Sequence, residues 1–144
     1  MNYAYLGSRP AKPELLQQLL LDITPAVISV DCETISLKDR TPIGIGIAVS
    51  PEDAFYFPLY PEVSPVLPSV WHLLQDPKIT KIAHNILFDL DCLDVIGLEL
   101  GKTDNTNIRD TQTMAHLLNK GTTKLSLLAW EVGREIDSVG DLLR

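Results

Sequence analysis

The first strongly periodic stretch of the chain predicts a helix over residues 13–22. Its leucines recur at an i, i+1, i+4, i+5 spacing that places them along one side of a helix, and Pro13 suits the first helical position. Thr24 and Pro25 end the pattern, because a residue that precedes proline is biased away from helical geometry. The stretch is too short and too often interrupted by glutamine to span a membrane.

Three apolar segments rich in β-branched residues follow, and they predict strands over 26–33, 42–50 and 53–59. The first is a nearly continuous apolar run, which is typical of a central strand that is covered on both faces. A short connection separates the last two segments, so we expect them to pair as an antiparallel meander.

The second half of the chain consists mainly of predicted helices. Helical patterns cover residues 69–76, 86–96, 110–121 and 125–133. Asp110 or Thr111 suits the N-cap of the third of these helices, and Gly97 suits the end of the second. A further strand is predicted over 78–85. This order of strands and helices indicates a mixed α/β sheet with helices packed against it.

The composition is typical of one soluble globular domain over residues 1–144, with 45% hydrophobic and 22% charged residues. The N-terminus has no charged start followed by an apolar block, so no signal peptide is predicted. The two cysteines, Cys32 and Cys92, do not make a disulfide framework. We therefore expect a reducing, cytoplasmic compartment and no contact with a membrane.

The net charge of −7 disfavours a protein that binds nucleic acid through a broad basic face. It does not disfavour an enzyme that holds phosphates through metal ions. In such an enzyme the carboxylates bind the cations, and the cations bind the substrate. Charge alone leaves both classes of protein open.

Two carboxylates, Asp31 and Glu33, end the strand predicted over 26–33. Side chains alternate along a strand, so these two share a face and Cys32 points to the other. Their Cα atoms lie about 6.5 Å apart, from which both carboxylates can reach cations about 3.5–4 Å apart. Without a cation the acids repel each other, and one tends to stay protonated. Taken alone, the pair also fits a solvated loop that begins after Val30.

A third carboxylate, Asp89, lies in the helix predicted over 86–96, beside the apolar stripe that faces the core. A carboxylate on that side has to be paired, hydrogen-bonded or bound to a metal. An acid in the first turn also interacts favourably with the helix dipole. The dipole accounts for Asp89 alone and leaves Asp31 and Glu33 unexplained.

Gly44 and Gly46 interrupt the strand predicted over 42–50. They lack the third glycine and the following helix of a dinucleotide-binding fingerprint. In a strand, a glycine allows close approach of another chain segment or of a nucleotide, and tight packing is the interpretation we favour here.

The segments "SVDCET" and "IAHNILFDLDCL" resemble the first two motifs of the DEDD superfamily of 3′–5′ exonucleases. The first motif is Asp-x-Glu on a strand, and the second is an Asn with an Asp four residues later at the start of a helix. Residues 42–60 are similar to two strands of the proofreading domain of DNA polymerase I-type (family A) polymerases, and residues 109–133 resemble the later helices of that domain. The likeness covers roughly residues 20 to 140.

The resemblance implies an RNase H-like fold, a mixed β-sheet flanked by α-helices. It also implies hydrolysis of phosphodiesters at DNA 3′ ends, with release of nucleoside monophosphates and two Mg²⁺ or Mn²⁺ ions as cofactors. By match to the motifs, Asp31 bridges both ions, Glu33 serves the ion that activates water, and Asp89 holds the other ion.

The same resemblance implies a binding site for a single-stranded DNA 3′ end. Leu37 matches the residue that wedges between the last two bases, and Asn85 and Phe88 match residues that hold the terminal nucleotides. Thr34 is assigned to this site as well. Each has an ordinary alternative: Leu37 as a loop residue that caps the core, Asn85 as a helix cap and Phe88 as a core residue.

The third motif of the family, Tyr-x-x-x-Asp or His-x-x-x-x-Asp, has no counterpart in the sequence. No tyrosine is followed by Asp four residues later, and among the histidines only His84 has an Asp five residues later, which is Asp89 of the second motif. In the family this motif lies on a helix beyond the position of Arg144. The resemblance therefore implies an exonuclease domain that is incomplete at its C-terminal end.

Two further expectations follow from the missing motif. An attached polymerase domain, or a second chain that carries the missing helix, is a candidate partner. The alternative function is a non-catalytic or partner-completed nucleic-acid-binding module that retains the exonuclease fold. Another RNase H-like nuclease is a third possibility, which the spacing of Asn85 and Asp89 disfavours.

Overall fold

The structure of the chain is a computed structural model that describes residues 2–4, 26–51, 53–59, 67–102 and 107–136. The strands of this part are β1 (Asn2–Ala4), β2 (Val27–Thr34), β3 (Pro42–Ala48), β4 (Asp53–Pro58), β5 (Thr80–Ala83) and β6 (Ile108–Asp110). Its helices are α1 (Leu67–Gln75), α2 (Ile86–Val95), α3 (Thr111–Leu117) and α4 (Leu125–Glu131), and a 3₁₀ turn covers Leu100–Lys102. The helix predicted over 13–22 lies outside the described residues.

The strands form one mixed sheet in the order β1-β4-β3-β2-β5-β6. The pairs β2–β3 and β3–β4 are antiparallel, which confirms the predicted meander. The pairs β1–β4, β2–β5 and β5–β6 are parallel. The mixed α/β architecture is therefore confirmed.

Sequence patterns missed the two edge strands, β1 and β6. Each is only three residues long, which is too short for a period-two pattern to be read from the sequence. Both strands are defined by their pairing with a neighbour that is distant in sequence.

One face of the sheet carries the hydrophobic core. The buried residues of the central strands are Ile28, Val30, Cys32, Ile45, Ile47, Phe55 and Phe57. Helix α1 contributes Val70, Leu73 and Leu74 to the same cluster, and helix α2 contributes Cys92 and Leu93. Burial of these apolar side chains is the main force that holds α1 and α2 against the sheet.

The opposite face of β2 is exposed, so the prediction of a strand covered on both faces is wrong for the described structure. Burial alternates strictly from Val27 to Glu33, and Ser29, Asp31 and Glu33 all lie on the exposed side. The physical reason is the polar character of these three positions, since each would need a partner if it were buried. The nearly continuous apolar run did not reveal that only one face of this strand is buried.

The four helices predicted in the second half are all confirmed, with shifts of a few residues at their ends. Helix α4 buries none of its residues. In the described part of the chain, no helix is both long enough and apolar enough to cross a membrane.

Candidate active site

Asp31 and Glu33 project from the exposed face of β2, as their spacing predicted. In the ladder with β3, Asp31 lies opposite Gly46 and Glu33 lies opposite Gly44, so no side chain stands beside either acid on that strand. Desolvation by the surrounding protein raises the pKa of Asp31. The pKa of Glu33 is raised by desolvation first and by the charge of Asp31 second.

Asp89 is buried, with 2% of its surface exposed. One of its carboxylate oxygens accepts a hydrogen bond of 2.8 Å from the backbone N–H of Cys32, the residue between the two acids of β2. Burial raises the pKa of Asp89 to about 6. The Cys32 bond opposes this rise, and the charge of Asp31 adds to it. The prediction that a carboxylate at this position requires a partner is confirmed.

The three predicted acids are thus neighbours around one segment of β2. Asp31 interacts electrostatically with both Glu33 and Asp89. Within the described ranges, however, no three side chains of His, Cys, Asp or Glu are arranged to hold a metal ion together. The donor chemistry suits Mg²⁺ or Mn²⁺, which prefer carboxylate oxygens. Mg²⁺ is commonly held by one or two carboxylates, with waters and substrate phosphates as its remaining ligands.

The start of α2 places Asn85 and Phe88 close to Asp89 in the chain. Asn85 adopts a left-handed backbone conformation with φ of 70°, which asparagine tolerates better than most residues. It stands at the N-cap position, but its side chain makes no capping hydrogen bond and is exposed. The helix-cap alternative for this side chain is therefore wrong. Phe88 is half-buried and packs against the core cluster.

Asp110 fixes the backbone of Asn85, a contact that sequence reasoning missed. One of its oxygens accepts from the N–H of Asn85 at 2.9 Å and from the N–H of Gln112, and the other accepts from the Thr113 hydroxyl. Although burial opposes the change, these hydrogen bonds lower the pKa of Asp110. The predicted N-cap role is confirmed, and the same carboxylate also joins two strand–helix junctions.

His84 joins the same junction to the segment that connects α3 and α4. Its Nε2 lies 2.8 Å from the carbonyl oxygen of Thr123, and since a carbonyl only accepts, this nitrogen donates. Its Nδ1 lies 2.9 Å from the hydroxyl oxygen of Thr111. Residues distant in sequence therefore hold the start of α2 in place.

Replacing Asp110 by Ala is expected to lower the free energy of unfolding by about 1–2 kcal/mol, because α3 loses its cap and the Asn85 N–H loses its partner. Urea unfolding measures the change. Asp94→Ala is the matched control, since in the described part of the chain this carboxylate forms an exposed ion pair with Lys102, and such a surface pair contributes about 0–1 kcal/mol. Equal losses for the two variants would contradict the junction role of Asp110.

Leu37 lies in the loop that follows β2, and its side chain is 80% exposed. The alternative in which Leu37 caps the core is therefore wrong. The Thr34 hydroxyl donates to the carbonyl oxygen of Ser36 at 2.9 Å, so it stabilises the turn that leads into this loop.

Arg40 connects the Leu37 loop to helix α2. Its guanidinium donates a hydrogen bond of 2.8 Å to the carbonyl oxygen of Leu37 and stands 4.3 Å from the centre of the Phe88 ring. The same group pairs with the Asp91 carboxylate at 3.7 Å. One guanidinium thereby holds the loop and the helix together.

Residues 10–137 match the sequence profile of a family described as 3′–5′ exonuclease. The chain belongs to this family. The resemblance noted from the first two motifs is thus confirmed, and exonuclease function in general is supported. Among curated proteins, no sequence matches this exonuclease chain.

Several solved nuclease and polymerase structures are similar to this exonuclease chain. Escherichia coli RNase D is 21% identical, with a TM-score of 0.68 over 96% of this chain and 36% of its own. Brucella melitensis NrnC is 22% identical, with a TM-score of 0.63 over 80% and 56%. Pol1 from M. smegmatis is 17% identical, with a TM-score of 0.63 over 95% and 23%.

These likenesses confirm the RNase H-like α/β fold of the exonuclease chain. The chain spans less than two thirds of the length of each of the three structures. The predicted roles of individual residues rest on the motifs and on the geometry described above.

Proposed function

We propose that the chain is the metal-binding core of a 3′–5′ exonuclease that hydrolyses phosphodiesters at DNA 3′ ends and releases nucleoside monophosphates. The observation that carries this proposal is the position of buried Asp89 against the backbone between Asp31 and Glu33. The exposed face of a central strand and a buried helical position thereby bring three acids to one place, which packing alone does not require.

We further propose that these acids bind two divalent cations. The raised pKa values of Asp31, Glu33 and Asp89 support this, because a bound cation offsets the desolvation of all three carboxylates and the charge of Asp31 that acts on the other two. A structure of Brucella melitensis NrnC carries bound Mg²⁺. When bound, such ions lower the pKa of water and stabilise the charge on a leaving oxygen. Asp31, which interacts with both other acids, is the proposed bridging ligand.

The proposed substrate contacts lie at the end of β2 and in the loop after it, and at the start of α2; β2 and α2 are the two elements that carry the acids. Leu37 offers an exposed apolar side chain, and Phe88 offers a partly exposed ring that packs against the Arg40 guanidinium. Bases of a single strand stack on such side chains without regard to sequence. The side chain of Asn85 is available for hydrogen bonds at the start of α2, and Thr34 shapes the turn below Leu37.

The nucleic acids named for the similar solved structures differ, so the choice between DNA and RNA as substrate is a matter for experiment. The M. smegmatis Pol1 structure contains a DNA primer-template, the NrnC structure contains pGG, and E. coli RNase D is an exoribonuclease. We propose DNA because the motifs and the strands at residues 42–60 resemble the proofreading type. Equal turnover of matched DNA and RNA strands would contradict that preference.

The direct test uses two labelled copies of one single-stranded DNA, one labelled at its 3′-terminal nucleotide and one at its 5′ end. With Mn²⁺, the 3′-labelled strand is expected to release its label first, as a mononucleotide, while the 5′-labelled strand shortens stepwise. Removing the metal with EDTA is expected to stop both. Initial release of the 5′ label would contradict the proposed polarity.

A second candidate is a non-catalytic or partner-completed module that binds a DNA 3′ end. In its favour, no three ligating side chains within the described ranges are arranged to hold a metal ion together, and residues 1–144 contain no Tyr-x-x-x-Asp. On this alternative the chain binds the oligonucleotide in a metal-dependent way but releases no nucleotide unless a polymerase domain or another chain supplies the missing group. Comparing binding with release distinguishes the two functions.

Arg40→Met is expected to weaken binding of a single-stranded oligonucleotide about fivefold. The variant keeps an apolar side chain over Phe88 but removes the hydrogen bond to the Leu37 carbonyl. The ordered conformation of the Leu37 loop then loses about 1 kcal/mol of stabilisation, which corresponds to about a fivefold loss of affinity. Where turnover is measurable, the Michaelis constant is expected to rise more than the turnover number falls. Fluorescence anisotropy with Ca²⁺ in place of Mn²⁺ measures the binding change.

Lys102→Met is the matched control for Arg40. It also removes one exposed cation that pairs with carboxylates, but at the far end of α2, where its partners are Asp94 and Glu99. Its oligonucleotide affinity is expected to equal that of the wild type. A similar loss in both variants would indicate a general effect of net charge rather than positioning of the loop.

A further inference from the structure

Tyr56 lies on the same face of the sheet as the acids of β2. In the antiparallel ladders, Tyr56 of β4 is opposite Gly46, and Gly46 is in turn opposite Asp31. Directly opposed residues of an antiparallel pair point to the same side of the sheet. Since Gly46 has no side chain, nothing on β3 separates the tyrosine from the acid at that level.

The ring of Tyr56 leans diagonally across Gly44. A Cβ atom on this glycine would overlap the phenol oxygen and Cζ, and it would come within 2.6 Å of Cε2. The phenol oxygen thus occupies the place of a Gly44 side chain, directly opposite Glu33. Opposed residues of an antiparallel pair are neighbours on one face of the sheet, so the hydroxyl lies on the side of the Glu33 side chain. The tight-packing interpretation of Gly44 is confirmed.

The hydroxyl is available to a ligand at this position. Tyr56 is 37% exposed, and within the described part of the chain its hydroxyl makes no hydrogen bond. A phenol has an ordinary pKa of about 10, so Tyr56 keeps its proton at neutral pH and its hydroxyl acts as a hydrogen-bond donor, not as a base.

We propose that Tyr56 is a further substrate-contacting residue, whose hydroxyl donates a hydrogen bond to an anionic phosphate oxygen of the nucleotide held at Glu33. A carboxylate cannot itself attract phosphate, but a cation held by Glu33 would attract a phosphate to the side of the sheet that carries the phenol. The inference rests on the proposed function. It assigns a binding contact from β4 and does not replace the acid of the missing third motif.

The test compares wild type, Tyr56→Phe and Gly44→Ala for affinity toward a fluorescein-labelled single-stranded DNA in Ca²⁺. Tyr56→Phe keeps the ring over Gly44 and removes only the hydroxyl, so binding is expected to weaken about tenfold, the value of a hydrogen bond to a charged group. Gly44→Ala displaces the ring and is expected to weaken binding to a similar extent. Urea unfolding of both variants checks that they fold.

A second oligonucleotide, with an uncharged methylphosphonate as its 3′-terminal linkage, isolates the phosphate contact. Wild type is expected to lose affinity for it, whereas Tyr56→Phe is expected to lose little more, because the two changes remove the same hydrogen bond. Equal affinity of wild type and Tyr56→Phe for the normal strand would overturn the inference. It would also be overturned if the affinity losses caused by Tyr56→Phe and by the methylphosphonate were fully additive.

Failure of the proposed function gives a different pattern. If Asp31→Asn binds the normal strand as tightly as wild type does, with and without Ca²⁺, the metal site fails whatever the Tyr56 variants show. If wild type does not bind the strand at all, the proposed function and the inference that depends on it are both overturned.

Discussion

Asp31→Asn is expected to reduce release of nucleoside monophosphates by about 10³-fold, the largest activity loss among the variants considered. Asparagine preserves the shape of the side chain on β2 and removes its charge. Asp31 is the acid whose charge acts on both Glu33 and Asp89, which is why it is the proposed bridging ligand. Loss of several kcal/mol of metal-dependent stabilisation corresponds to a rate change of about that size.

The measurement is single-turnover release of the 3′-terminal nucleotide with Mn²⁺, together with a Mn²⁺ titration of the free protein. Asp94→Asn is the matched control, since it removes one exposed carboxylate from α2 without touching the three acids. It is expected to retain wild-type release. If Asp31→Asn releases nucleotide at the wild-type rate, the assignment of these acids to catalysis is wrong.

The features of the site that were predictable from sequence depend on local periodicity. Alternation along β2 placed Asp31 and Glu33 on one face, and the helical repeat placed Asp89 toward the core. Both conclusions need only the residues within one strand or one helix. Their combination indicated the family, which the match over residues 10–137 confirms.

The features that were not predictable depend on pairing between distant segments. Asp110 contacts the backbone of Asn85 across 25 residues, and nothing in either segment indicates that partner. The edge strands exist because a neighbouring strand offers free backbone groups, which a three-residue pattern does not reveal.

Tyr56 illustrates the same limit at the site itself. The two glycines of β3 signalled close approach, but the identity of the approaching group depends on the register between β3 and β4. A shift of that register by one residue would turn the phenol to the core face and leave Gly44 without a neighbour. The register between β3 and β4, which the sequence alone does not give, therefore determines that Tyr56 is the residue that packs on Gly44.

The burial of Asp89 has a consequence for stability that separates a functional acid from a structural one. Without metal, its pKa of about 6 lies above the ordinary value of 3.8, so the folded state binds this proton more tightly than the unfolded state does. Stability is therefore expected to fall as pH rises from about 4 to 6 and to stay low above that range. At pH 8 the charged Asp89 costs the folded protein on the order of 2–3 kcal/mol, at about 1.4 kcal/mol per tenfold change in proton affinity.

Asp89→Asn is accordingly expected to stabilise the metal-free protein by about 2 kcal/mol at pH 8, and to have little effect at pH 4. The amide oxygen can still accept the hydrogen bond from the Cys32 N–H, while the buried charge is gone. Urea unfolding in EDTA at several pH values measures this difference. Asp91→Asn, an exposed change on the same helix, is expected to leave the pH profile parallel to that of the wild type.

The same substitution is expected to reduce metal-dependent nucleotide release and to weaken the stabilisation that Mg²⁺ gives the wild type. Mg²⁺ that binds only the folded state adds stability in proportion to its affinity, so removing a ligand lowers that increment. Asp89 would then destabilise the metal-free protein and stabilise the Mg²⁺-bound protein, as expected of an acid that serves function at a cost in stability. If Asp89→Asn instead destabilises the protein at pH 8 and leaves both the Mg²⁺ effect and nucleotide release unchanged, Asp89 serves only the packing of α2 against β2.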